Sequence, residues 1–151
     1  MFKDGCIHPG IMQALSRCGH GDKILIADGN YPLQGRTGAC ERVYLGVRAG
    51  LPQVTDVLDA LLKEINVEAA QVMQPADGSE PPIFADFRER LPGLRLETLD
   101  RYAFYDACCE PDVRLAPPPG DRRASPTPLP PGGGPGPPPS PPPQTPLLRR
   151  L

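Results

Sequence analysis

His20 stands in Gly19-His20-Gly21-Asp22-Lys23. The flanking glycines leave its imidazole unshielded and let the backbone approach a ligand closely. Histidine is the side chain that gives and takes a proton near neutral pH without large tuning. The same residue also reads as a solvated loop histidine that satisfies the last carbonyls of a preceding helix. Asp28 opens Asp28-Gly29-Asn30-Tyr31-Pro32, directly after an apolar run. Arg101, with Tyr102 and Tyr105 close behind, follows a second strand-like segment. Taken alone these are a turn-forming Asp, an Arg at a helix start and tyrosines packing on a core. No serine–histidine–acid set and no carboxylate pair stands out. The inventory allows proton transfer and little else.

Two other chemistries fit poorly. Gly19-x-Gly21 precedes a strand rather than opening a helix, and no Gly-Lys-Ser/Thr follows, which is the wrong context for a phosphate loop. Cys6, His8, Cys18 and His20 pair as Cys-x-His twice, matching no common structural zinc spacing. The expectation is no metal. Adjacent Cys108 and Cys109 rarely meet disulfide geometry and read as a buried thiol pair.

The elements that must position these groups follow from periodicity. Ile11, Ala14, Leu15 and Cys18 mark one buried helical face, with Pro9 in the first turn and Gly19 as a left-handed C-terminal cap. Residues 23–27 form an apolar run of the kind buried on both faces of a parallel sheet. Residues 42–47 read as a weaker strand, interrupted by Gly46. Val54, Val57, Leu58, Leu61, Leu62 and Ile65 make a broad apolar helical stripe, opposite Asp56, Asp59, Lys63 and Glu64. Strands are predicted over 67–73, 94–99 and 113–116, and helices over 83–91 and 102–109. Interleaved helices and strands argue an α/β layered domain with a largely parallel sheet flanked by helices. In such sheets ligands sit outside the carboxyl ends of the strands, which singles out Asp28 and Arg101.

Composition divides the chain. Of the 23 prolines, 15 fall within residues 117–146, together with five of the 16 glycines. That stretch cannot bury enough apolar surface to offset the entropy of ordering it. The expectation is a domain over 1–116 and a disordered Pro/Gly-rich tail over 117–151. Residues 1–116 carry 12 Lys/Arg against 17 Asp/Glu, and the remainder four Arg against one Asp. An acidic body without a basic stripe argues against nucleic acid. No apolar run is long enough to span a membrane. Five cysteines without a Cys-x-x-Cys pair fit thiols in a reducing cytoplasm. The tail also fits a polyproline ligand for aromatic grooves, which would make the chain an interaction protein.

Particular motifs carry a resemblance. His8-Pro9, Gly19-His20-Gly21-Asp22 and Ile26-Ala27-Asp28-Gly29-Asn30-Tyr31-Pro32 resemble the D-ribose pyranase and L-fucose mutarotase family. Gly50-Leu51-Pro52-Gln53, Val67-Glu68-Ala69-Ala70 and Asp100-Arg101-Tyr102-Ala103-Phe104-Tyr105 add to it. The resemblance covers residues 5 to about 116. It implies interconversion of the cyclic forms of a free monosaccharide, such as fucose or ribose, without metal or cofactor. It implies His20 as the acid/base group and Asp28 and Arg101 as sugar-binding residues. It also implies a homo-oligomer with the site near a subunit boundary. The family ends in a Thr-Gly-Glu-like turn, a Tyr-[Gly/Ala]-Asn sugar-binding motif and a closing strand. After Ala116 no Tyr-x-Asn occurs, and a proline-dense tail predicts no strand in their place. A sugar-binding protein without turnover is the alternative reading.

Overall fold

The computed structural model describes residues 5–120 and 145–151. Helix α1 (Pro9–Ser16) leads into β1 (Lys23–Leu25) and the short β2 (Glu41–Arg42). Then come α2 (Val54–Leu62), β3 (Val67–Met73), α3 (Ile83–Arg90), β4 (Leu96–Leu99) and α4 (Arg101–Cys108). The chain closes on β5 (Val113–Ala116) and β6 (Pro146–Arg150). The predicted alternation is present, with one further strand. The six strands lie in the order β2-β5-β1-β6-β3-β4. Strands β2, β5 and β1 pair in parallel, as do β3 and β4, while β6 runs antiparallel between β1 and β3. The sheet is therefore largely parallel, and mixed by one central strand.

That strand corrects the sequence reading of the tail. Pro146 occupies the first position of β6, where its missing N–H costs nothing. Its carbonyl accepts from the Ile26 N–H at 3.1 Å. Leu147 and Leu148 point to opposite faces and are 1% and 0% exposed. Arg149 pairs with Glu68 at 2.8 Å. Arg150 donates to the carbonyls of Leu15 and Cys18, where α1 ends and its last carbonyls lack helical partners. A short segment with two core leucines and two well-placed arginines is enough, whatever the average composition before it. The expectation of disorder over residues 121–144 lies outside the described residues.

Alternation along the strands builds two cores. Ile24, Ile26, Val72 and Leu148 pack with the apolar faces of α1, α2 and α3. Leu25, Ala27, Met73 and Leu147 pack with Phe104, Ala107 and Cys108 of α4, and with Tyr31, Leu33 and Cys40. This gives three layers with the sheet in the middle.

Other expectations shift locally. Gly19 is not the left-handed residue after α1; Gly21 is, at φ +84°, and its N–H reaches the Arg150 carbonyl at 2.9 Å. Of residues 42–47 only the start is regular strand. Val43 and Leu45 nevertheless donate to the carbonyls of Ala116 and Pro118, at 3.1 and 3.0 Å. Prolines keep their acceptors, so this edge pairs even though β5 runs into proline. Cys108 is buried and Cys109 is exposed, so the two do not form a buried pair.

Candidate active site

Because β1 to β5 share one direction, their carboxyl ends form one edge of the sheet and their amino ends the other. Asp28 lies just past β1 on the carboxyl edge and is 5% exposed. Its Oδ1 accepts from the N–H groups of Asn30 and Tyr31, both at 3.1 Å, which makes a tight Asx-type turn. Its own N–H donates to Thr145 Oγ1 at 3.2 Å.

Asp28 lines an open cleft of about 480 Å³. The opposite walls come from Tyr44, Arg48 and residues 118–120. These walls are pinned by the backbone. Gly120 donates to the Pro52 carbonyl at 2.9 Å and accepts from the Gly50 N–H at 2.7 Å. A methyl group on Gly120 would lie 2.2 Å from the Leu51 carbonyl oxygen, so the close approach requires glycine. The Arg48 guanidinium reaches only the neighbouring Ala49 carbonyl, at 3.5 Å, among the described residues. Tyr44 is 62% exposed and its hydroxyl accepts from Gln34 Nε2. Beneath the cleft, Tyr31 donates to the Arg36 carbonyl at 2.7 Å and meets Phe104 and Tyr105 edge-on, with centroids at 6.3 and 5.6 Å. Burial holds the Tyr31 hydroxyl protonated well above the ordinary phenol range.

Arg101 shares the carboxyl edge. It is the first residue of α4, which Asp100 caps by accepting from the Tyr102 and Ala103 N–H groups at 2.9 and 3.0 Å. Its side chain is exposed. Strands β6 and β3 stand between β1 and β4, so the two strand ends are about 14 Å apart at the usual spacing. Arg101 does not line the cleft that holds Asp28.

His20 lies at the other edge. It is exposed, in a turn closed by the Gly19 N–H donating to Asp22 Oδ2 at 2.7 Å. Gly21 is tied to Arg150 and Asp28 to Thr145, at opposite ends of β6. Five residues of extended strand separate those ties, roughly 17 Å. A single monosaccharide on Asp28 cannot also touch His20 of the same chain. Sequence reading set the two near one another, although His20 precedes β1 and Asp28 follows it. It also missed Tyr44, Arg48 and Thr145. Nothing in the local pattern of Tyr44 and Arg48 marks a ligand wall, and Thr145 sits at the end of a proline-dense stretch. Among the described residues, no three His, Cys, Asp or Glu side chains gather around a common point. No helix among them is long and apolar enough to cross a membrane.

The sequence profile of the RbsD / FucU transport protein family matches residues 1–114. The chain belongs to this family. A D-ribose pyranase of Rubrobacter xylanophilus is 32% identical over 96 residues, covering 64% of this chain and 72% of the relative. A D-ribose pyranase of Lactobacillus gasseri is 29% identical over 97 residues, with the same coverage of both chains. Among solved structures, Bacillus subtilis RbsD complexed with D-ribose superposes with TM-score 0.73 at 20% identity, covering 99% of this chain and 97% of the other. The fucose mutarotase of Streptococcus pneumoniae in complex with L-fucose superposes with TM-score 0.67 at 21% identity, covering 95% and 92%.

Proposed function

We propose that this chain is a monosaccharide mutarotase, opening and reclosing the ring of a free sugar such as L-fucose or D-ribose. The observation that carries the reading is Asp28, a nearly buried carboxylate held by two backbone N–H groups on the wall of an open cleft. It does so in a chain whose relatives are named D-ribose pyranase. Ring opening needs a proton delivered to the ring oxygen and one removed from the anomeric hydroxyl. The C1–O bond to the ring oxygen breaks and an open-chain aldehyde results. Reclosure on the other carbonyl face gives the other anomer, and closure by a different hydroxyl gives the other ring size. No redox step and no cofactor is required. His20 is the acid/base group, with water as the second proton carrier. Asp28 and Arg101 hold sugar hydroxyls and fix the pose.

The separation of His20 from Asp28 supports a homo-oligomer in which His20 of one subunit approaches the Asp28 cleft of another. Five free cysteines agree with a cytoplasmic location. The test is magnetisation exchange between the anomers of L-fucose and of D-ribose in the presence of the protein. Acceleration of either exchange is the expected result. Exchange of both sugars at the uncatalysed rate, with sugar still bound, overturns catalysis in favour of a sugar-binding protein without turnover.

A further inference from the structure

Thr145 is 0% exposed and stands beside Asp28, although its sequence surroundings mark it as neither core nor site. The register of β6 explains its place. Along β1 the Ile26 N–H donates to the Pro146 carbonyl at 3.1 Å. Two residues further on, the Asp28 N–H donates to a side chain, with Thr145 Oγ1 accepting at 3.2 Å. Pro146 helps to set this up, because a residue before proline is held extended. The backbone of Asp28 is thereby fixed from β6, and its carboxylate is fixed from the Asn30 and Tyr31 N–H groups.

We propose that Thr145 is a positioning residue for the sugar-binding carboxylate, its hydroxyl fixing the Asp28 backbone so that the carboxylate faces the cleft at a constant angle. The inference rests on the reading of Asp28 as a sugar ligand. It makes the last seven residues of the chain part of the site, although none of them lines the cleft. Removing the hydroxyl takes away one hydrogen bond that holds this buried backbone N–H. Water cannot replace the hydroxyl readily where both residues are buried.

The experiment compares Thr145→Val, which keeps the shape and loses the oxygen, with Thr145→Ser, which keeps the oxygen. Sugar affinity and the kcat and KM of anomer exchange are read with L-fucose and D-ribose. Amide hydrogen exchange is read at Asp28, Asn30 and Tyr31. Thr145→Val is expected to raise KM about 10-fold, with a smaller change in kcat, and to speed exchange at those three amides. Ile24 and Leu25 amides keep their protection in both variants, and Thr145→Ser restores KM to within about 2-fold of the parent. If valine is not tolerated, Thr145→Ala provides the same comparison. Parent-like exchange at the three amides in the variant without the oxygen overturns the proposal, whether or not sugar binds. So does a serine variant that folds yet binds as poorly as the valine. If the amides respond as expected but the unaltered chain binds neither sugar, the mutarotase reading fails and the positioning of Asp28 stands.

Discussion

The two edges of the sheet are built differently. At the carboxyl edge, Asp28 sits at 5% exposure in a cleft whose walls are joined by backbone hydrogen bonds through Gly120, Gly50 and Pro52. At the amino edge, His20 stands exposed in a turn held by Asp22 and by the Arg150 carbonyl. The first is a preformed recess that can orient a hydroxylated ligand. The second is an exposed group on a turn. The two groups are thus separated within one chain, and under the proposed reading a neighbouring subunit would bring the one to the other. Strand β6 spans both, with Thr145 at one end and Arg150 at the other.

The largest expected effect tests that division. His20→Ala should remove roughly 100- to 10,000-fold of the acceleration of anomer exchange, the usual range for a general acid/base group. Sugar affinity and Tm should hold, because the side chain is exposed. Asp28→Asn should mainly weaken binding, since a hydroxyl acceptor becomes half donor. Mixing the two impaired variants after dissociation and reassembly should recover activity at low sugar concentration, because some clefts then combine an intact Asp28 with an intact His20 of a neighbour. No recovery in the mixed assembly would mean that the two residues do not share a site across subunits.

Next in size is the strand that joins the edges. Leu148→Ala should cost about 2–5 kcal/mol, the range for a leucine truncated in a packed core. Leu151→Ala, at a residue 59% exposed, should stay within about 0.5 kcal/mol. Urea denaturation measures both. A cost below ~1 kcal/mol for Leu148→Ala would show that β6 does not carry the core, and the link between the edges would go with it.

How far the sequence discloses these regions depends on the kind of signal each one leaves. The α2 stripe and the apolar run at 23–27 announce themselves through periodicity, and both are buried as read. Position on the carboxyl edge follows from strand order alone, and Asp28 lies there. His20 is legible as a chemical group, and its place before β1 puts it on the opposite edge from Asp28, which follows that strand. The cleft walls depend on contacts between residues far apart in the chain, such as Gly120 with Leu51, which leave no local pattern. Strand β6 is hidden by window composition: two leucines after 15 prolines look negligible until the sheet offers a central slot flanked by β1 and β3.

A smaller perturbation can be aimed at one edge only. Gly120→Ala places a methyl 2.2 Å from the Leu51 oxygen and 2.5 Å from the Arg48 oxygen, both backbone atoms. Something must shift, at a cost on the order of 1–3 kcal/mol. The cleft should deform and sugar affinity fall, while the amide signals of Gly21 and Arg150 at the other edge stay in place. Gly35→Ala, which meets nothing within 4 Å, is the matched control. Shifts at both edges from Gly120→Ala would show that they are not independent.

The smallest effect is a pH dependence carried by two titrating groups, Lys23 and Cys108. Lys23, at the amino end of β1, loses hydration on burial, yet its bonds to Glu110 and Asp112 outweigh this and hold its pKa above the ordinary 10.5. Cys108, the last residue of α4, is pushed by burial from 9.0 to about 12. Both groups therefore keep their protons in the fold at pH values where the unfolded chain releases them. By linkage their contributions are fully present below the unfolded pKa and fade as pH rises through the folded one. Stability should be level up to about pH 9, decline first through Cys108, and decline further above 10.5 as Lys23 contributes. Cys108→Ser should remove the early part of that decline and leave the later part, whereas Lys23→Met should do the reverse. Thiol labelling gives a second view of the same burial: Cys109, which is exposed, should alkylate well before Cys108 at pH 8. Equal labelling of the two thiols would mean that α4 opens readily over the core it covers, and the rigidity claimed for the carboxyl-edge cleft would then lack its support.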